Sequence, residues 1–166
     1  MKTSTLIKTA GLFVALAATA SAAGPCCAPP EASDTITSLS APATAENTNP
    51  LVSHYTALSE ALVMDDLAAA RAAASKLAEG AGDSQPELAE LAKAVAQAED
   101  LNVAREHLIP LSRKLIELVD DEKGLFVMQC PMVKDGEWLQ TNRDPRNPYM
   151  GQRMVRCGIV KRATGE

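Results

Sequence analysis

The stretch Leu101-Asn-Val-Ala-Arg-Glu-His-Leu-Ile-Pro-Leu-Ser-Arg-Lys-Leu-Ile-Glu-Leu-Val119 decides the fold. Leu101, Ala104, Leu108, Leu111, Leu115 and Leu118 recur every three or four residues, the spacing that sets apolar side chains on one face of an α-helix. Pro110 removes one backbone hydrogen bond inside that helix. Toward the N-terminus the same period returns three times. A helix runs from Pro86 to about Ala98 with Leu88, Leu91 and Val95 inward and Ser84 as its cap. An Ala-rich helix runs from Leu67 to about Glu79, capped by Asp65-Asp66 and terminated by Gly80. Asn49-Pro50, an N-cap followed by proline at the first helical position, opens a helix with Leu51, Tyr55, Leu58 and Leu62 on one face. Four helices of this length joined by short loops predict a mainly α chain with an up-and-down four-helix bundle over residues 49–122.

After Gly124 the texture changes. Leu125 to Cys130, Glu137 to Gln140 and Val155 to Val160 read as short strands, and Asn142 to Gly151, with two prolines, as a turn-rich loop. Residues 123–162 are therefore expected to form a small β/loop cap packed on the bundle, so that residues 49–162 make one domain, with Trp138 and Tyr149 as the apolar seal. Six sulfur-bearing side chains fall in this tail: Met128, Cys130, Met132, Met150, Met154 and Cys157.

At the other end, Lys2 and Lys8 precede the apolar run Gly11 to Ala18, which ends in Ala20-Ser-Ala22-Ala23, the layout of a secretory signal peptide over residues 1–23. That run is shorter than the roughly 20 apolar residues of a membrane span, so the mature chain is expected to have no transmembrane segment and to be periplasmic or secreted. Residues 24–48, rich in Pro, Ala, Ser and Thr around Cys26-Cys27, read as a disordered linker. The formal charge of −5 argues against a nucleic-acid partner. Charge is unevenly spread, with 14 acids against 6 bases in residues 49–122 and 3 acids against 7 bases in residues 134–162, so a mildly basic cap is expected on an acidic body.

Thiolate and thioether donors are the set that selects Cu(I) and similar soft ions over Mg, Ca or Mn. Cys130 and Met132 point the same way on an extended segment, and Met150, Met154 and Cys157 follow i, i+4, i+7 spacing, which aligns three sulfurs if that segment is helical. Cys130, Met132, Met150, Met154 and Cys157 are thus the candidate ligands for Cu(I) or Ag(I), with Met128 as a further donor. His54 and His107 lie on the rims of their stripes and add a nitrogen ligand only if they face the tail. The opposing reading is that the methionines fill core and Cys130 is bridged to Cys157, giving a disulfide-stabilised structural or protein-interaction domain. Enzyme classes find little support. The sequence has no Cys-x-x-Cys pair, phosphate loop or zinc-protease helix motif, and no serine or cysteine nucleophile with a positioned histidine.

Laid out together, Cys130-Pro-Met132, Gly136-x-Trp-Leu-Gln140 and Asn147-Pro-Tyr-x-Gly151-x-x-Met154-x-x-Cys157-Gly158 resemble a bacterial family known as domain of unknown function 3347. His54-Tyr55, Ala61-Leu62, Asp65-Asp66, Ala104-Arg-Glu-His107 and Leu111-Ser112 fit the same pattern, so the resemblance spans roughly residues 50 to 160. It implies a periplasmic heavy-metal context, since such domains extend membrane-fusion subunits of Cus-type copper and silver efflux systems. The expected function is a soft-metal carrier or buffer in metal resistance, with such a membrane-fusion protein or another periplasmic metal carrier as partner.

Overall fold

The structure is a computed structural model that describes residues 49–165. The expected signal peptide and linker, with Cys26 and Cys27, lie outside the described residues. Four helices come first: α1 Pro50–Val63, α2 Leu67–Ala81, α3 Pro86–Ala96 and α4 Leu101–Leu118. Strands β1 Phe126–Gln129, β2 Glu137–Gln140 and β3 Ile159–Ala163 follow, with short 3-10 turns at Gly82–Ser84 and Gly151–Arg153. Among the described residues no helix is long and apolar enough to cross a membrane.

The helix starts follow their capping chemistry. Asn49 accepts from Leu51 N at 2.9 Å with Pro50 at N1, Asp66 accepts from Ala69 N, and Asp100 accepts from Asn102 N and Val103 N. Ser84 is not a cap: it ends the 3-10 turn, and Gln85 precedes Pro86 without a side-chain capping bond. Nor does Gly80 terminate α2. The helix passes through it, where a Cβ would only touch His54 and Leu51 at ordinary contact distance, and ends at Gly82, whose φ of +46° is the conformation glycine tolerates. Helix α4 is continuous through Pro110, which faces solvent. Its stripe differs at the end: Leu118 is exposed while Ile116 and Val119 are buried, and Leu51, Leu91 and Leu101 are half-buried.

Each helix packs chiefly on its successor in sequence, and α1 meets α4 mostly through side chains. Contacts between Tyr55 and Ser112, Leu62 and Arg105, and Asn49 and Glu122 show that these two helices run antiparallel. The polypeptide beyond α4 spans them both, with β2 against α4 and Arg146 ion-paired to Glu60 of α1. The strands form an antiparallel sheet in the order β2-β1-β3, with Met128 opposite Trp138 on one side and Val160 on the other, and a bulge between Val127 and Met128. The third strand starts four residues later than the β-branched pattern suggests, because Val155 to Gly158 is held in a turn. This sheet is more than a loop cap: Leu125, Val127, Met128, Trp138 and Leu139 join the helices' core cluster and are fully buried.

The joint between helices and tail is polar. Tyr55 of α1 and Ser112 of α4 share a hydrogen bond of 2.6 Å, and the Tyr149 hydroxyl donates to Glu137 O with Ser112 Oγ 3.4 Å away. Leu139 N donates to the Tyr55 hydroxyl at 3.4 Å. Burial pushes the Tyr55 phenol up to about 12 and raises Tyr149 well above the usual tyrosine range. Because the folded phenol titrates above an unfolded one, near 10, its contribution to stability is intact below about pH 10 and is lost as pH rises toward about 12. Tyr55→Phe strands Leu139 N and leaves Ser112 Oγ only its longer contact with Tyr149, and should cost about 1–3 kcal/mol in urea unfolding. The variant should also show a smaller loss of stability between about pH 10 and 12 than the parent.

Candidate functional site

The sulfur-bearing residues of the tail differ widely in burial. Met128 is fully buried on β1, between its partners on β2 and β3, as core filling. Cys130 follows that strand, 1% exposed, and its amide donates to Gly136 O at 2.8 Å. Met132, two residues on, is 65% exposed, so the pair does not share one environment. Met150 is half-buried against the core and Met154 is 44% exposed. The α-helical alignment of Met150, Met154 and Cys157 does not form. The segment is a 3-10 turn of three residues, and Met154 leaves it at φ −151°.

Cys130 and Cys157 are both free thiols, the first buried and the second half-buried. The β1–β3 register ends at Gln129 opposite Ile159, so Cys130, one residue beyond Gln129, and Cys157, two residues before Ile159, flank the same end of that strand pair. His54 packs beside Gly80 of α2, on the helical side, and His107 is half-buried on α4. Among the described residues no three His, Cys, Asp or Glu side chains gather as a cation site.

What the tail motifs build instead is a clasp. Asn147 Nδ2 donates to Cys157 O and its backbone N to Val155 O at 2.8 Å, while its Oδ1 accepts from Tyr149 N and Met150 N. One side chain thereby closes the loop from Asn147 to Cys157 and sets where Met150 and Cys157 stand. Gly158 lies so close to the Trp138 ring that a Cβ would run into it. Trp138 in turn donates to Gln140 Oε1 at 2.9 Å and meets Tyr149 edge-on at 6.2 Å.

A second fastening comes from the end of α1. Asp65 N and Asp66 N return to Leu62 O and Ala61 O, a Schellman closure that puts Asp65 at φ +58°. That left-handed conformation is unfavourable for a non-glycine residue, and the carboxylate repays it by holding distant chain. Asp65 accepts from Arg105 and from Gln152 N, while Arg105 also donates to Leu62 O at 3.0 Å and Pro148 O at 2.8 Å. The Arg105 bond, foremost, holds the Asp65 carboxyl below its usual range, so the stability it lends is present above that range and lost as pH falls through the lowered value. Asp65, Arg105, Tyr149, Met150 and Arg153 line an open cleft of about 590 Å³ together with Asp100, Leu101 and Asn102.

A family model described as a protein of unknown function (DUF3347) matches residues 51–124. Over that stretch the chain is similar to this family. No curated protein and no solved structure matched it. The DUF3347 match takes in the four helices and stops two residues before β1, so the sulfur-bearing tail lies beyond it. Tyr55, Glu60, Asp65, Arg105 and Ser112, inside the match, grip the tail.

Sequence reasoning reads Asp65-Asp66 as a cap and misses the grip of Asp65 on Arg105 and Gln152; an acidic doublet at a helix end was the available signal. Gly151, at φ +55°, sits where a Cβ would overlap Asp65 Oδ1 and Arg105 Nη2. Gly151→Ala should therefore cost about 2 kcal/mol or more in denaturant unfolding. A change within a few tenths of a kcal/mol would show that the turn is not seated on Asp65.

Proposed function

We propose that this protein is an exported soft-metal binder, a periplasmic carrier or buffer for Cu(I) or Ag(I) in metal resistance or efflux, acting by binding and not by turnover. In this reading residues 1–23 are removed on export, residues 24–48 tether the folded part, and residues 49–162 form one domain in which an up-and-down four-helix bundle carries the tail. A heavy-metal efflux membrane-fusion protein or another periplasmic carrier exchanges the ion with it. The observation that carries the reading is the placement of two free cysteines, Cys130 and Cys157, just past the same end of the β1–β3 pair. A pair of thiols there supplies two thiolates to a soft ion. Thioethers come from Met132, Met150 and Met154, not all on one ion.

The same placement favours one other reading, a Cys130–Cys157 bridge stabilising an interaction domain. An anaerobic Cu(I) titration of the reduced protein against a competing chelator separates the two. The metal reading predicts stoichiometric binding that weakens by tenfold or more in Cys130→Ser and in Cys157→Ser. The bridge predicts isolated protein without free thiol at either position, no Cu(I) uptake, and a loss of roughly 2–5 kcal/mol of stability when either cysteine is replaced. Wild-type Cu(I) affinity in both serine variants would overturn the thiolate site.

A further inference from the structure

A methionine from outside the tail is drawn into it. Met64, which ends α1, is 55% exposed, and its Sδ accepts a hydrogen bond of 3.2 Å from Gln152 Nε2. Gln152 is the middle residue of the turn Gly151–Arg153, which Met150 precedes and Met154 follows. The same side-chain amide donates to Val63 O at 3.1 Å, and Gln152 N donates to Asp65 Oδ2 at 3.2 Å. The turn is thus pinned to the end of α1 with a methionine on either side of it and a third on the helix end it touches. At the roughly 2 Å rise per residue of a 3-10 turn, Met150 and Met154 are separated by about 8 Å of chain, within reach of two flexible thioether side chains extending toward one ion. Met150 also shares its cleft with Asp65, the immediate neighbour of Met64.

Packing accounts for Met150, which is half-buried against the core, but not for Met64 or Met154. Six large apolar residues are exposed among the described residues, and three of them are methionines: Met64, Met132 and Met154. Leucine or lysine would serve such surface positions equally well, whereas only methionine adds a soft donor.

We infer that Met64, Met150 and Met154 form a thioether site for Cu(I) or Ag(I) at the end of α1, one that does not require the thiols of Cys130 and Cys157. The inference deepens the soft-metal reading and rests on it. Three neutral sulfurs select these ions against zinc, magnesium and calcium, and no hard ligand competes, because the Asp65 carboxylate is occupied by Arg105 and by Gln152 N. Asp65 also offsets the Arg105 charge beside the site. Without an anionic ligand the ion is held less tightly than by thiolates, and the exposed position leaves it open to a partner. The site is therefore the one at which ions are handed over, with Gln152 as a positioning residue.

The test uses protein labelled with 13C at the methionine methyls, each resonance assigned by a single Met→Leu variant, with all four cysteines changed to serine so that only thioethers remain for Ag(I). The methyls of Met64, Met150 and Met154 should move together and saturate at one equivalent. Met128 should stay still, and isolated Met132 should follow a separate, weaker curve. Met64→Leu should weaken the response of Met150 and Met154 by tenfold or more, and Gln152→Ala should weaken it by a smaller factor. If the cysteine-free variant does not fold, the same titration is run on reduced wild-type protein past saturation of its thiols. Independent titration of the three methyls, or unchanged Met150 and Met154 curves in Met64→Leu, overturns the site. Ag(I) bound through cysteines alone with Met64 silent defeats the inference and spares the soft-metal reading; no response from thiols or thioethers defeats both.

Discussion

Three hydroxyl groups meet in the interior of this protein, and most of the remaining structure depends on their meeting. Tyr55 comes from α1, Ser112 from α4 and Tyr149 from the loop after β2, and the Tyr55–Ser112 bond is 2.6 Å long. Away from water an unpaired hydroxyl is costly, so each of the three elements is held at the one position where its partner's hydroxyl is satisfied. The backbone joins in through Glu137 O and Leu139 N, which ties β2 to the same point. Among the described residues no buried side-chain nitrogen or oxygen lacks a partner. Apolar burial supplies the larger driving force, with Trp138, Leu58, Leu108 and Leu111 around the joint fully buried, but apolar contact alone does not set register.

From that joint outward, the tail is positioned by two fastenings with different chemistry. Asn147 works within the tail, closing the loop to Val155 and Cys157 by hydrogen bonds. Asp65 and Arg105 work between tail and helices, and their ion pair is partly buried, with side-chain exposures of 35% and 16%, where it is screened less than a surface pair. These fastenings set where the sulfur-bearing residues of the tail stand. Pinning the turn after Met150 to α1 brings Met150 and Met154 to the Met64 end, while the β1–β3 ladder carries Cys130 and Cys157 to the end of the strand pair. The exposed ion pairs Lys93–Glu90, Arg113–Asp135, Arg146–Glu60 and Arg162–Asp120 contribute little by comparison.

Periodic burial made the helices legible: residues such as Leu58, Leu88, Leu108 and Leu115 are apolar because one face is inside, and that period survives in sequence. Helix ends were less so. Gly80 and Gly82 look alike on paper, and only the sign of φ, fixed by the following turn, tells which one stops α2. The candidate site was the least legible part. Spacing aligned Met150, Met154 and Cys157 on a helix that Gly151 prevents, since its φ of +55° serves the seat on Asp65. Asn147 and Val155 impose a turn where β-branched residues suggested a strand. Met64 escaped notice because its connection to Gln152 crosses 88 residues, and no local pattern records a contact of that range.

The tail is part of the fold and not an appendage to four self-sufficient helices, and the single tryptophan gives a direct way to ask. Trp138 reports the tail and far-UV circular dichroism reports the helices. Equilibrium urea unfolding of the whole protein followed by both signals should give coincident transitions with one midpoint and one slope. A Trp138 transition completed at lower urea, with the helical signal still intact, would contradict it.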